Sequence, residues 1–66
     1  DANQLEWKLQ LAIQQLPEKQ KLVFGLRYFD EMSYEQMSKI LDTSEGALKA
    51  SYHHAAKKIE EFIKTH

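Results

Sequence analysis

The clearest structural signals in the chain lie in residues 33–52, which read SYEQMSKILDTSEGALKASY. Ser33 and Gln36 have the spacing of a capping box, in which the serine hydroxyl accepts an early backbone N–H and the glutamine side chain reaches back to the cap. The apolar side chains that follow at helical spacing are Tyr34, Met37, Ile40 and Leu41. We therefore predict a short helix over residues 33–41.

A longer helix is predicted after a short turn. Asp42 and Thr43 form a tight connector, and Ser44 is placed to cap a helix over residues 44–64. Its apolar face consists of Leu48, Tyr52, Ala55, Ile59, Phe62 and Ile63. A short helix, a turn of three or four residues and a longer helix have the spacing of a helix-turn-helix, whose second helix enters the major groove of DNA.

Two further helices are predicted upstream of this unit. The first covers residues 3–15 with Asn3 as its cap, and the second covers residues 17–29 and opens with Pro17, because a first turn does not need the missing N–H. The predicted buried faces consist of Leu5, Leu9, Ala12, Ile13 and Leu16 in the first helix, and Leu22, Val23, Leu26 and Phe29 in the second. Trp7 is assigned to the core, with a partner surface as the alternative. The expected fold is an all-α, four-helix domain with a C-terminal helix-turn-helix, similar to a winged helix without its wing.

The composition is that of one small folded domain over residues 1–66. Hydrophobic residues make up 42% and charged residues 29% of the chain, which is typical of a globular domain rather than a disordered tail. The absence of cysteine excludes disulfides and thiolate metal sites. No apolar run approaches the roughly 20 residues that span a bilayer, and no segment resembles a signal peptide, so we expect a cytoplasmic location without a membrane partner. Because the chain begins at Asp1 rather than Met, we expect a fragment of a longer protein.

The charged residues are unevenly distributed. The formal net charge is −1, which is unpromising for a DNA ligand because phosphate neutralisation dominates such binding. The basic and histidine side chains after position 48 are Lys49, His53, His54, Lys57, Lys58, Lys64 and His66, and the acids there are Glu60 and Glu61. The C-terminal segment is therefore the modestly basic part of the chain.

The outer face of the last predicted helix is suited to DNA. It carries Gly46, Lys49, Ala50, His53 and Lys57. Lysine can donate to guanine O6 and N7 or to a phosphate, and a glycine near a helix start lets backbone N–H groups approach a phosphate. The hydroxyls of Thr43 and Ser44 offer further phosphate contacts. The same pattern is also typical of a solvated polar face, and periodicity alone leaves both interpretations open.

Beyond these patterns, the chain from Leu16 to Ile59 resembles region 4 of bacterial sigma factors, most closely the extracytoplasmic-function class of the sigma-70 family. The matching segments are LPEKQKLVFGLRYFDEMSYEQMSKIL and DTSEGALKASYHHAAKKIE, in the family's order. The family pattern combines an LPxxxR-like opening, an RYF segment, a third helix of the SYxEIA type, and a turn and reader close to SxGTVKSRxxRA. Each piece alone is weakly specific, whereas the ordered set is specific.

The resemblance implies a domain that binds the −35 promoter element, docks on the flap of the RNA polymerase β subunit and is often masked by an anti-sigma protein. Carried over by position, the residues at bases or adjacent phosphates are Lys49, Ala50, His53 and His54. Those near the DNA backbone are Tyr34, Glu35, Thr43, Ser44, Gly46 and Ala47. Ser51 and His54 stand where the family commonly has arginine, and Ala47 where it has threonine. These changes predict a weaker or differently tuned DNA contact, with some pH sensitivity from histidine.

Other candidate residues have competing roles. Tyr52 has core spacing, with stacking on DNA as the alternative. His53 and His54 point about 100° apart on a helix, which disfavours zinc, so no metal is expected.

Glu45 could accept a hydrogen bond from cytosine or complement the helix dipole. Lys57 and Lys58 have phosphate contact and solubility as alternatives, and a partner groove lined by Phe24, Leu26, Met32 and Met37 competes with ordinary core packing.

Catalysis has no support in the sequence, since there is no nucleophile motif, metal cluster or glycine-rich phosphate loop. No cofactor and no small-molecule substrate are expected. Three binding functions remain: a promoter-reading sigma domain, a helix-turn-helix module that binds only polymerase or an anti-sigma factor, and a dimeric repressor. The lack of an obvious dimerisation helix counts against the repressor, and the sigma domain is the predicted function.

Overall fold

The computed structural model describes residues 2–65, and these fold into four α-helices without a strand. The helices are α1 (Ala2–Gln14), α2 (Glu18–Tyr28), α3 (Tyr34–Leu41) and α4 (Glu45–Thr65). The predicted all-α, four-helix class is confirmed, and each predicted helix boundary lies within one residue of the observed one. Asp1 and His66, interpreted above as the chain start and as part of the basic segment, lie outside the described residues.

The starts of α3 and α4 are determined by local side-chain hydrogen bonds. The Gln36 N–H donates to Ser33 Oγ at 3.1 Å, and the Ser33 N–H donates to Gln36 Oε1 at 3.1 Å. This is the predicted capping box, and it satisfies two backbone donors that a helix start otherwise leaves unpaired. The Ala47 N–H donates to Ser44 Oγ at 3.2 Å, so Ser44 caps α4 as predicted.

Two predicted details of the upstream helix starts are wrong. Asn3 lies inside α1, which already includes Ala2, and is therefore not its cap. Pro17 is the N-cap of α2 rather than its first helical residue. Its φ of −56° suits either position, but its ψ of 151° is extended. The Pro17 carbonyl nevertheless accepts the Lys21 N–H at 2.9 Å and so begins the helical hydrogen bonding.

Between residues 2 and 65, two non-glycine residues have left-handed backbone conformations, and each lies between two helices. Glu31, with a φ of 53°, lies between α2 and α3, and Asp42, with a φ of 51°, ends α3. The N–H groups of Asp42 and Thr43 both donate to the Ser38 carbonyl. These bonds close α3 and leave residues 42–44 as the turn before α4, which is a helix-turn-helix spacing.

The other three helices all pack against α4. One apolar cluster links α1, the turn after it, α2 and the second half of α4 through Ala12, Ile13, Leu16, Phe24, Ala55 and Ile59. A smaller cluster links α2, α3 and the start of α4 through Val23, Met37 and Leu48, whose side chains are inaccessible to solvent. Because close-packed side chains resist displacement, the second cluster holds α4 at a fixed orientation relative to α3.

Several residues predicted to be buried are exposed. They are Leu5, Trp7, Leu22, Phe29 and Ile40, with Trp7 68% and Ile40 64% exposed. Apolar side chains occur on more than one side of α1 and α2, and packing against α4 covers only one side. Within residues 2–65, no helix combines the length and the apolarity needed to cross a membrane.

Candidate nucleic-acid interface

The turn between α3 and α4 holds the outer face of α4 in a defined position. Thr43 Oγ1 donates to the Leu41 carbonyl at 3.0 Å, and Ser44 is engaged in capping α4. Leu48, one turn further on, is fully buried against Met37 and Val23. Any rotation of α4 about its own axis therefore exposes Leu48 to water, at a cost of about 1.5–3 kcal/mol for a leucine side chain.

The residues predicted to read DNA bases lie together on this outer face. We call the following exposed residues the reading face: Gly46, Ala47, Lys49, Ala50, His53, His54 and Lys57. Leu48, Ala55 and Ile59 are buried on the opposite side of the helix, which confirms the predicted division of α4 into a core face and an outer face. Ser51 is half-buried and lies outside the reading face.

The ring of Tyr34, the first residue of α3, lies beside two cationic side chains. Lys49 Nζ is 5.7 Å from the ring centroid, and Arg27 Cζ is 5.0 Å from it. Both distances are within the range of a cation–π interaction. Arg27 is also held by a hydrogen bond of 3.1 Å from its Nη1 to the Met32 carbonyl. Tyr34 thus connects α2, α3 and the reading face of α4, an arrangement that helical periodicity did not predict.

Glu35 is exposed in the first turn of α3, next to Tyr34 in the sequence. Its carboxylate lies 3.5 Å from Lys39 Nζ, and both side chains are mostly exposed. An exposed pair of this kind contributes little to stability, but the lysine offsets the negative charge of Glu35. Tyr34 borders the reading face through Lys49, and Thr43 and Ser44 border it because they precede α4 in the turn.

Tyr52 belongs to the core, as its spacing predicted. Its ring stacks on Phe24 at a centroid distance of 5.3 Å, and Phe24 in turn stacks on Tyr28 at 5.1 Å. Partial burial raises the pKa of the Tyr52 phenol above its ordinary value, and the neighbouring Tyr34 adds to this effect. Tyr52 therefore packs on the core side of α4, opposite the reading face.

The two adjacent histidines are both exposed on the reading face. Their ring centroids are 6.2 Å apart and their planes are tilted by 55°. Among residues 2–65, no group of three or more His, Cys, Asp or Glu side chains is arranged to hold a metal ion. Their position leaves His53 and His54 available as hydrogen-bonding side chains toward an external ligand.

A second candidate surface lies on α2, and three of the four residues named above as its possible lining are not part of it. Phe24 and Met37, named above as possible lining of a partner groove, are buried core residues. The observed groove, which we call the α2 groove, is lined by Leu22, Gly25, Leu26 and Phe29 and bordered by Glu18, Lys21 and Asp30. A Cβ atom built on Gly25 has no neighbour within 4 Å. A glycine in mid-helix without an internal packing reason was the available signal for this groove.

Trp7 contributes to a separate groove between α1 and the end of α4. Leu11 and Phe62 lie beside it. The large exposed fraction of the Trp7 side chain contradicts the predicted core position of this residue. The alternative interpretation, a partner surface, stays a prediction.

The fold and the reading face define a helix-turn-helix domain of the DNA-binding kind. The family model for sigma-70, region 4, matches residues 6–59. The match covers most of the chain, and the protein therefore belongs to the sigma-70 region 4 family. Domains of this family generally bind the −35 promoter element and RNA polymerase, and they regulate transcription rather than catalyse reactions. A search of curated proteins finds no significant match to this chain.

Proposed function

We propose that this chain is the promoter-reading domain of an extracytoplasmic-function sigma factor that acts in the bacterial cytoplasm as part of a longer protein. In this proposal the reading face enters the major groove of the −35 element. The observation that carries it is the exposure of the whole reading face on a helix whose orientation is held by Leu48 and Met37, within a domain of the sigma-70 region 4 family.

We propose that contacts with base edges and adjacent phosphates are made by Lys49, Ala50, His53 and His54. Contacts with the DNA backbone are made by Tyr34, Glu35, Thr43, Ser44, Gly46, Ala47 and Lys57. Ser44 accepts the Ala47 N–H through its oxygen, so its own O–H proton remains available for a phosphate oxygen. Thr43 Oγ1 instead donates its proton to the Leu41 carbonyl, and the Thr43 N–H donates to the Ser38 carbonyl. The phosphate contact assigned to Thr43 must therefore run through a bridging water that donates to Oγ1.

The α2 groove is the surface that we propose for the RNA polymerase β flap. Leu22, Leu26 and Phe29 provide apolar contact area, and Gly25 lets a partner helix approach the α2 backbone. Docking there would compensate for the net charge of −1, because a tethered reader needs little affinity of its own. An anti-sigma protein is the second partner in this proposal, and it rests on the family resemblance.

The test is selection of a motif from a randomised duplex pool at low salt, followed by affinity measurements on the selected duplex. Lys49→Ala is expected to weaken specific binding by about 1–3 kcal/mol if Lys49 meets a base edge. Lys64→Ala is the matched control, because Lys64 is near the end of the same helix, where it pairs with Glu60 at 3.5 Å. A loss that is equal on all sequences, with a shallower salt dependence, would instead make Lys49 a phosphate contact.

The competing function is a module that binds polymerase or an anti-sigma factor without reading DNA. The net charge and the loss of fixed cations at Ser51 and His54 favour it. The same selection, repeated with the purified β flap added, separates the two functions. Binding of the flap without an enriched motif under either condition supports the module and contradicts the promoter reader.

A further inference from the structure

The first two turns of the reading face have no long side chain at their centre. Gly46, Ala47 and Ala50 are exposed there. Lys49, the one long side chain of the reading face in these two turns, has its ammonium group 5.7 Å from the Tyr34 ring centroid, on the side of α4 that faces α3. The centre of this surface can therefore approach the floor of a groove closely, with methyl groups as its only side-chain atoms.

The fold itself gives no reason for glycine at position 46. Gly46 has no positive φ, and a Cβ built on it has no neighbour within 4 Å. Glycine is nevertheless among the least favourable residues in a helix. The missing side chain therefore relieves no contact within the domain and instead leaves the α4 backbone accessible from solvent. This is expected where a ligand approaches the helix backbone.

Alanine methyl groups can recognise one feature of the major groove. Base pairs present hydrogen-bond donors and acceptors there, and an alanine side chain cannot form a hydrogen bond with either. Thymine also presents its C5-methyl group, which an alanine methyl group can contact. Resting on the proposed DNA-reading function, we propose that Ala50 recognises a thymine C5-methyl group and that Ala47, in addition to the backbone position assigned to it above, contacts a second one. The bound site then carries thymines beneath the start of α4.

The effect of one such contact is predictable from the area it buries. Removing a methyl group from an apolar contact is expected to weaken binding about fourfold, the equivalent of one buried CH₂. Hydrogen bonding between the bases is unchanged when uracil replaces thymine, because the two bases differ only by this methyl group. The substitution therefore isolates the proposed contact from the rest of the readout.

The experiment uses the duplex selected from the randomised pool, with each thymine replaced in turn by uracil. Affinities are measured by fluorescence anisotropy for the original protein, Ala47→Gly and Ala50→Gly. The expected result is a loss of about fourfold at one or two adjacent positions, and each glycine variant should abolish the thymine preference at its own position. The ratio of the two affinities is taken within one variant, so any loss of helix stability cancels. Uracil in the flanking sequence is the matched control.

A duplex that is bound specifically, but equally well with thymine and uracil at every position, would overturn this inference and leave the proposed function intact. A thymine preference that survives both glycine variants would also overturn it, since the methyl contacts would then belong to other residues. A pool that yields no motif, with or without the polymerase flap, would contradict the promoter-reading function and this inference together.

Discussion

The Lys49 ammonium group and the Tyr34 ring lie within cation–π distance, with 5.7 Å between Nζ and the ring centroid. This contact joins the first residue of α3 to the reading face of α4 across the turn. A lysine side chain has many rotamers, and confining it before binding reduces the entropy that binding costs. Tyr34 is thus a positioning residue for Lys49 as well as a border residue of the interface.

Tyr34→Leu should lower DNA affinity several-fold, because it removes the ring that confines Lys49, an interaction of about 0.5–1 kcal/mol at an exposed site. Tyr34→Phe keeps the ring and should keep most of the affinity. A double variant with Lys49→Ala should lose less than the sum of the single losses. If Tyr34→Phe binds as weakly as Tyr34→Leu, the hydroxyl contacts DNA and the positioning role is wrong.

The two glycines allow a reciprocal test of the two surfaces. Gly25→Ala and Gly46→Ala meet no neighbour within 4 Å and should each stabilise the fold, by up to about 1 kcal/mol, since alanine is the better helix former. Gly25→Ala should weaken binding to the β flap and leave DNA binding unchanged. Gly46→Ala should do the reverse. Urea unfolding and two binding assays measure all three quantities, and each variant is the control for the other.

If both glycine variants bind flap and DNA as well as the original protein, neither surface is approached at its backbone. That result would remove the assigned contact at Gly46 and the proposed use of the α2 groove. A loss of both activities in one variant would point to a change in the fold, which the urea measurement would detect.

Leu48→Ala should destabilise the domain by about 2–5 kcal/mol, because it opens a cavity in the cluster that holds α4. Ile40→Ala is the matched control. Both changes remove aliphatic atoms from a helix, but Ile40 is 64% exposed and Leu48 is fully buried. The control should change stability by no more than about 0.5 kcal/mol. Equal losses in thermal or urea unfolding would contradict the assignment of the two helix faces.

Asp42 is predicted to be sensitive to the shape of its substituent rather than to its charge. Its φ of 51° is tolerated by aspartate, asparagine and glycine but strains a β-branched side chain. Asp42→Asn and Asp42→Gly should unfold within about 0.5 kcal/mol of the original protein, whereas Asp42→Val should lose about 1–2 kcal/mol. A tolerated valine would show that the turn adopts another backbone conformation.

The stability of the domain is expected to fall at alkaline pH, in part through Tyr52. Burial raises the pKa of this phenol, so between its ordinary pKa of about 10 and the raised value the folded state retains a proton that the unfolded state has lost. The associated stability is present below the ordinary pKa and is lost as the pH rises through the raised one. The Tyr52→Phe variant keeps the stack on Phe24 but has no phenol to titrate. Its free energy of unfolding, measured in urea, should fall less steeply with pH over this window. Parallel curves would exclude a contribution from Tyr52.

Much of the secondary structure could be read from the sequence, because the interactions that end and begin these helices are local. Ser33 and Gln36 form the capping box that their spacing predicts, and Ser44 caps α4. The reading face was also predictable, since burying Leu48, Ala55 and Ile59 on one side of a regular helix places residues such as Lys49 and Ala50 on the other. Hydrogen bonds between near neighbours and the helical spacing of apolar residues depend only on residues close together in the sequence, and both could therefore be predicted from it.

Tertiary packing alone decided which sides of α1 and α2 are buried. Phe24 is in the core while Leu22 and Phe29 are exposed, although all three are large and apolar and lie within a few residues of one another. A small domain has too little interior for every apolar side chain, and periodicity cannot rank two apolar sides of one helix. The contact between Lys49 and Tyr34 was likewise decided by tertiary structure, since it depends on the angle at which α3 meets α4. That angle results from the joint packing of Val23, Met37 and Leu48, which come from three different helices.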